Sequence, residues 1–339
     1  MAGKSGRTIS NTPQNSLKSA LLSWEGMLVV LFIAVNIFCM FLSPNYQLKN
    51  VLREMPKYLA EVFIMFPMVF ILIMGDIDIS VGSIVCLSAS LTCLASNAGL
   101  PLLPSALLCI LVGTVCGLIN GLIVTKFKEL PTMIVTLATQ IIYRGIAEIV
   151  LGSGGSVSLK NTKGFKLFAG KIGGLVPYVF VLIIIAAIIY TIVLSRTTFG
   201  RKLYAIGSNS VTAEYSGIHV QTTRFICYTL AGLMAGFCAL FLTAVLYGAN
   251  TTTGNGFEMD VIAMSVFGGV STAGGKGKMH GAVISAFIII CLRIGLGLIN
   301  MNPQVILIIL GALLIIAVLL PNIVAMINNA KKRKLASSK

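Results

Sequence analysis

The sequence predicts an all-α, polytopic membrane protein that threads a lipid bilayer about ten times, with both termini on the cytoplasmic side. Three observations predict it. The chain is 57% hydrophobic and 10% charged, with a mean hydropathy of +0.96, whereas a water-soluble domain carries roughly 25% charged residues to cover its surface. Its apolar residues fall in long continuous runs and not in the period-two alternation of a membrane β-strand. Its cations fall between those runs and gather on one side of them.

The elements follow from the runs in order. A hydrocarbon core about 30 Å thick takes about 20 residues of helix. Residues 27–42, 60–75, 81–95, 107–124, 131–151, 175–194, 225–246, 282–298 and 305–320 are such runs, and a shorter, glycine-rich run over 258–270 completes the set. The first run is followed by Leu-Ser-Pro-Asn and not by a small-x-small cleavage site, so it reads as a retained anchor. The first 20 residues are polar and read as disordered.

Charge placement orients the bundle. Lys4, Arg7 and Lys18 precede the first run, Lys126 and Lys128 follow the fourth, and Arg196, Arg201 and Lys202 follow the sixth. Lys276 and Lys278 follow the eighth, and Lys331, Lys332, Arg333 and Lys334 close the chain. With the N-terminus inside, all of these are cytoplasmic, where multi-pass proteins keep their cations. Lys160, Lys163, Lys166 and Lys171, in an outer loop, are the exception. The net charge of +15 therefore reports topology in a lipid bilayer and not a nucleic-acid partner.

All eight cysteines (Cys39, Cys86, Cys93, Cys109, Cys116, Cys227, Cys238 and Cys291) lie inside apolar runs, without CxxC or zinc spacing. They read as small buried hydrophobes, and no metal site is expected. Gly113, Gly117 and Gly121, and again Gly232 and Gly236, recur every fourth residue. That spacing lets helix backbones touch where lipid offers no hydrophobic drive. A looser series runs through Gly268, Gly269, Gly274, Gly275, Gly277 and Gly281. Residues 63–94 read as span, polar break, span, and residues 259–290 read the same way, a hint of the paired halves of a transporter repeat.

Nothing in the chain reads as an enzyme. It has two histidines, His219 and His280, and no Gly-x-Ser-x-Gly, HExxH or P-loop. No cofactor or nucleotide site is expected. Asp76 and Asp78 sit in the first polar break, where Asp78 or Ser80 reads as the N-cap of the next span, and a catalytic aspartate pair is the rival reading. A charge at the centre of a span costs roughly 2.5–3.5 kcal/mol, so each is a functional candidate. Glu61, Arg144, Glu148 and Arg293 lie in spans, and Glu258 and Asp260 begin one. All fall toward the outer ends of their helices. They read as an outer vestibule or a docking site for a binding protein, or else as snorkelling groups at the interface. Arg144 and Glu148 are spaced to pair. Asp76, Asp78, Ser80, Ser83, Asn120, Thr132, Thr136 and Gln140 lie near the breaks and are candidates for a translocation path. No file of carboxylates crosses the membrane centre, which disfavours an ion-coupled secondary transporter.

The longest inner connection spans residues 196–222. In it, Asn209 or Ser210 can cap a short helix over 211–215, and Gly217 can end that helix at positive φ. A short capped helix lying along the membrane is a grip for a peripheral partner, and a plain surface loop is the alternative.

These pieces, in order, carry a resemblance. They are Gly75-Asp-Ile-Asp-Ile-Ser-Val-Gly-Ser83, Gly117-Leu-Ile-Asn-Gly-Leu122, Pro131-Thr-Met-Ile-Val-Thr-Leu137, Tyr143-Arg-Gly145, Phe199-Gly-Arg201, Tyr204-Ala-Ile-Gly-Ser-Asn209, Tyr215-Ser-Gly-Ile218, Glu258-Met-Asp-Val-Ile-Ala263 and Gly268-Gly-Val-Ser271. Over residues 52–321 the chain resembles the permease subunits of bacterial ABC sugar importers of the ribose, galactoside and xylose type, a group that includes autoinducer-2 and rhamnose permeases. It departs from the pattern at Ser208, where glycine is usual, and at Glu214, where alanine is usual.

The resemblance implies a multi-pass subunit of the bacterial cytoplasmic (inner) membrane. It would carry a monosaccharide or sugar-like solute inward. A second permease copy or paralogue would complete the pore, two cytoplasmic ATP-binding subunits or one fused tandem ATPase would drive it, and an extracytoplasmic solute-binding protein would deliver the solute. Asn209, Ala213, Glu214, Ser216, Gly217 and Ile218 would couple to the ATPase. Residues 1–22 would be a basic N-terminal segment, 23–327 the permease domain and 328–339 a basic cytoplasmic tail. A branched-chain amino acid permease of the same architecture is the alternative cargo class.

Overall fold

The computed structural model describes residues 23–313 and Ile315. The segment 1–22, the tail 328–339 and most of the last run beyond Leu313 lie outside the described residues.

Helix α1 (Trp24–Leu42) starts at Ser23, whose hydroxyl accepts from the Gly26 amide at 3.1 Å. Two short helices, α2 (Leu48–Glu54) and α3 (Pro56–Leu59), lead into α4 (Val62–Ile73). Every residue of α4 is buried, as a helix that is apolar all round must be. A break over residues 74–80 separates it from α5 (Val81–Asn97). α6 (Leu102–Lys126) and α7 (Thr132–Leu151) follow. The next connection holds β1 (Ser156–Ser158), α8 (Thr162–Phe165), β2 (Lys171–Ile172) and β3 (Val176–Pro177). Next come α9 (Tyr178–Arg196), α10 (Thr198–Ser208), α11 (Ser210–Tyr215) and α12 (Val220–Leu246). β4 (Gly248–Asn250), α13 (Phe257–Phe267), α14 (Met279–Leu298) and α15 (Pro303–Leu313) complete the described chain.

Seven helical stretches are long and apolar enough to cross a membrane: Trp24–Leu42, Pro56–Ile73, Leu102–Lys126, Thr132–Gly154, Tyr178–Arg196, Val220–Leu246 and Met279–Leu298. α5, α13 and α15 are shorter and take the places of the runs 81–95, 258–270 and 305–320. On the outside of the bundle, α1, α7 and α9 expose apolar side chains such as Phe41, Ile141, Ile149 and Ile188, the surface that a lipid solvent requires.

The described chain is mostly helical, and its few short strands form two ladders: β1 pairs antiparallel with β4 (Ser156↔Asn250 to Ser158↔Gly248) and β2 pairs with β3. These ladders lie in connections, where no helix satisfies the backbone. The connection 196–222 holds two helices where one was expected. α10 is capped by Thr197, whose hydroxyl accepts from the Gly200 amide, and it buries Gly200, Leu203 and Ile206 along one stripe.

The most extensive helix pair is α6 with α12. There the spaced glycines face each other. A Cβ on Gly117 would come within 2.5 Å of the Tyr228 carbonyl oxygen, and one on Gly113 within 2.5 Å of the Gly232 carbonyl oxygen. A Cβ on Gly232 would strike Gly113 and Gly117 in turn. These helices touch backbone to backbone, and the motif does here what its spacing implies.

Helix–break–helix occurs twice, as the sequence hinted. α4, residues 74–80 and α5 form one unit; α13, residues 268–278 and α14 form the other. The two breaks meet. The Gly275 amide donates to the Ile73 carbonyl at 2.8 Å, and Gly75 (φ +83) lies against Gly274 (φ +84). α10 caps both breaks. Gly207 packs on the Ile73 carbonyl and the Gly275 amide, and the Tyr204 hydroxyl donates to the Gly277 carbonyl at 2.7 Å.

The glycine contact gives a test. Gly117→Ala should lower the melting temperature of the detergent-purified protein, because the added methyl meets backbone that cannot give way; overpacking of this kind costs about 1–3 kcal/mol. Gly297→Ala, whose Cβ has open space in α14, should leave the melt unchanged or raise it, since alanine is the better helix former by about 1 kcal/mol. Equal shifts of the same sign would show that helix propensity and not close packing sets both.

Candidate functional site

The polar groups of the described residues gather at three levels of the bundle. At the end that α10 and α11 form, α11 is a short handle. The Asn209 side chain accepts from the Thr212 amide at 2.9 Å and opens the helix. Gly217 closes it at φ +81: its amide donates to the Glu214 carbonyl, and the Ile218 amide reaches back to the Ala213 carbonyl. This is the double carbonyl cap that a left-handed residue permits. Ala213 packs inward at 4% exposure, while Tyr215 stands 90% exposed beside Val211. Glu214 is exposed and sits 3.6 Å from Lys128, so the chain itself partly meets that charge. Ser216 donates to the Thr212 carbonyl at 2.8 Å.

The second level is the break between α4 and α5. Asp76 is buried and paired with Arg224 of α12: Nη2 donates to Oδ1 at 3.2 Å, and Nε makes a close ion contact with Oδ2 at 2.8 Å. Asp78 is 1% exposed and has different partners. The Ser80 amide and hydroxyl both donate to its Oδ1. Asn120 of α6 donates to the Ser80 hydroxyl at 2.7 Å, and Tyr143 of α7 donates to Asn120 at 3.0 Å. Thr136 accepts from the Ile79 amide, and the Thr132 hydroxyl lies toward Asp76. Ser80 stands at the N-cap position of α5 in helical geometry, and its side chain does not cap the helix. The capping expected of Asp78 or Ser80 is therefore replaced: each turns to the other. Asp76 and Asp78 answer to separate partners and do not form an acid–base pair. Ser83 is buried on the first turn of α5.

The third level lies along α7 and the start of α13. Gln140 faces Glu258 at 3.4 Å. Arg144 donates to the carbonyls of Thr251 and Thr253, at 2.9 and 2.8 Å. The expected pairing of Arg144 with Glu148 is absent; Glu148 is exposed on α7 and in no ion pair among the described residues. Backbone carbonyls left free by the irregular stretch 251–256 outcompete the helical neighbour, because they need a donor and lie inside protein. Glu61, Asp260 and Arg293, expected at a vestibule with the others, form a separate ion triad. Arg293 contacts Glu61 at 3.2 Å and Asp260 at 2.6 Å, with Glu61 1% exposed. It joins α4, α13 and α14, so in this conformation these groups face inward.

Arg224, Tyr143, Thr251 and Thr253 are site residues that the sequence reading passed over. Arg224 stands one residue ahead of the run 225–246, outside the apolar span. The polar stretch Asn250-Thr-Thr-Thr-Gly-Asn-Gly256 was a signal that could have marked an irregular segment. Among the described residues no three His, Cys, Asp or Glu side chains group to hold a metal, and the eight cysteines are free and buried.

The chain has clear relatives. The family described as branched-chain amino acid transport system / permease component matches residues 62–318. The ribose import permease protein of Bacillus subtilis (strain 168) is 35% identical, over 87% of this chain and 91% of that protein. The D-allose transport system permease protein of Escherichia coli (strain K12) is 34% identical, over 90% of this chain and 94% of its own length. The autoinducer 2 import system permease protein of Klebsiella pneumoniae subsp. pneumoniae is 28% identical, over 88% and 91%. No solved structure matches the chain.

The ion triad also has a stability consequence. Arg293→Met strands two inward-facing carboxylates, and breaking a buried pair in this way costs about 3–5 kcal/mol. Adding Glu61→Gln and Asp260→Asn should recover most of the loss in an unfolding titration of the purified protein. A single variant as stable as wild type would remove the triad from the list of what holds α4, α13 and α14 together.

Proposed function

We propose that this chain, which belongs to the permease-component family matched above and within it to the ABC importer permeases of the ribose type, carries a monosaccharide or sugar-like solute into the cell. The importer's ATP-binding subunits and solute-binding protein are separate polypeptides. The chain crosses the bacterial cytoplasmic membrane about ten times, α5, α13 and α15 being the short crossings. Its N-terminus and the α10–α11 end face the cytoplasm. Residues 23–327 form the permease domain between a basic segment, 1–22, and a basic tail, 328–339. Two ATP-binding subunits or one fused tandem ATPase bind at α11, and a second copy or a paralogue completes the pore.

The carrying observation is the position of α11. The handle is continuous with α10, which packs on both helix breaks at once. A partner that grips α11 through Asn209, Ala213, Glu214, Ser216, Gly217 and Ile218 therefore acts where the membrane helices are interrupted. The solute passes along α7 and the first break, past Thr132, Thr136 and Gln140 and the cluster Asp76, Asp78, Ser80, Ser83 and Asn120. Arg144, Glu148 and Glu258 line its outer entrance, and Glu61, Asp260 and Arg293 brace the helices behind it.

The chemistry of that strip favours a sugar over a branched-chain amino acid. An amino acid brings an ammonium, a carboxylate and an apolar branch, and it calls for free counter-charges and an apolar pocket. Here Asp76 is taken by Arg224, and Arg144 is taken by two carbonyls. Hydroxyls and amides remain beside the carboxylates of Asp78 and Glu258, and with Arg224 and Arg144 both taken the strip offers no free cation to an amino acid's carboxylate, which suits a neutral polyhydroxylated solute. The relatives' cargoes, ribose, D-allose and autoinducer 2, point the same way.

The test is ATP-driven uptake in proteoliposomes holding this chain, its ATP-binding subunits and its binding protein. D-ribose or D-allose should accumulate and L-leucine should not; accumulation of leucine alone would transfer the chain to the other cargo class. Accumulation driven by an ion gradient, with no partner proteins, would remove the importer reading. In the same vesicles Gly217→Val should abolish solute-stimulated ATP hydrolysis while leaving membrane insertion intact. Its Cβ meets no neighbour, so the effect is backbone strain alone, about 1–2 kcal/mol or more for a branched residue at positive φ.

A further inference from the structure

We propose that Arg224 is a positioning residue: through its pairing with Asp76 it carries the motion of α11 to the break between α4 and α5. The inference rests on the importer reading above, and it names a link that the reading leaves open.

A short surface helix moves a membrane domain only if something rigid connects the two. From α11 the chain runs through Ser216, Gly217, Ile218 and His219 into α12. Arg224 lies about one turn into α12, on a helix locked to α6 by the glycine contact. A shift of α11 therefore reaches Arg224 through covalent chain and helix.

The receiving side is equally defined. Asp76 is not a free loop residue. Its amide donates to the Ile71 carbonyl at 3.1 Å, which makes it the closing residue of the α4 terminus, with Gly75 left-handed before it. Two residues later, Asp78 holds the start of α5 through Ser80, and Ser80 is tied to α6 and α7 through Asn120 and Tyr143. A pull on Asp76 is thus a pull on the end of α4 and the start of α5.

Arg224 meets Asp76 through one hydrogen bond, Nη2 to Oδ1 at 3.2 Å, and an ion contact of Nε with Oδ2 at 2.8 Å that lacks hydrogen-bond geometry. Two contacts from one planar guanidinium constrain rotation more than a point charge does. Among the described residues Asp76 has no other ion partner. A pair that served only burial would be replaceable by any neutral hydrogen bond at that place. A pair that transmits motion is not, and that difference is measurable.

Uptake and ATP hydrolysis are to be measured together in the reconstituted complex, with D-ribose and D-allose as probes. Arg224→Gln should lower the solute moved per ATP hydrolysed about ten-fold, while assembly and unstimulated hydrolysis stay within about two-fold of wild type. Asp76→Asn should lower the ratio as well, the two together should be no worse than either alone, and the exchange Asp76→Arg with Arg224→Asp should recover part of the ratio. The link is overturned if Arg224→Gln keeps the ratio, if uptake and hydrolysis fall in parallel, or if the two single losses multiply. Should Arg224→Gln fail to insert, Arg224→Lys decides: it keeps the charge and loses the planar two-point contact, so its ratio should also fall, and an unchanged ratio overturns the link. A wild-type complex without ATP-driven uptake would overturn the importer reading, and this link with it.

Discussion

Lipid offers no hydrogen bonds, so a helix can be interrupted inside a membrane protein only where protein replaces what the backbone loses. The rest of this structure depends on that constraint. α4 ends at Ile73 with carbonyls that need donors, and the donor comes from Gly275 in the other break. The start of α5 is held by Asp78, Ser80 and Asn120, drawn from two elements. The stretch before α13 has free carbonyls at Thr251 and Thr253, and Arg144 supplies both. Each interruption is filled by a partner far away in sequence, so the interruptions fix the arrangement of the bundle.

Close backbone contact makes such filling possible. Gly207 lets α10 lie against the Ile73 carbonyl, and Gly274 and Gly75 let the two breaks meet. The pairing of α6 with α12 through Gly113, Gly117, Gly232 and Gly236 gives a rigid pair beside α4 and α5. Rigid pairs and held breaks divide the labour: the pairs keep helix backbones in contact, and the breaks hold polar groups inside the bundle.

The charges divide in the same way. Arg293 with Glu61 and Asp260, and Arg224 with Asp76, are pairs inside protein. Cations without buried partners, such as Arg196, Arg201 and Lys202, are exposed at the α10 end. A permease that receives its solute from a separate binding protein needs little affinity of its own, and near the breaks the groups outside ion pairs are hydroxyls, amides and the carboxylates of Asp78 and Glu258.

The sequence by itself determined what depends on solvent and on local spacing. Lipid as the solvent, the places of the seven long apolar helices, the glycine-rich helix contact and the Asn209-to-Gly217 cap geometry are all written within a few residues of where they act. Tertiary structure alone decided the partners. Arg144 turns from Glu148, four residues away, to carbonyls 107 and 109 residues away, and Arg293 finds Glu61 across 232 residues. α10 read as a loop because its polar composition hid a buried stripe that has meaning only against the two breaks. Patterns along one helix report which face is buried; which element covers that face depends on helix rotation and contact across the whole bundle, and no local window of residues contains that information.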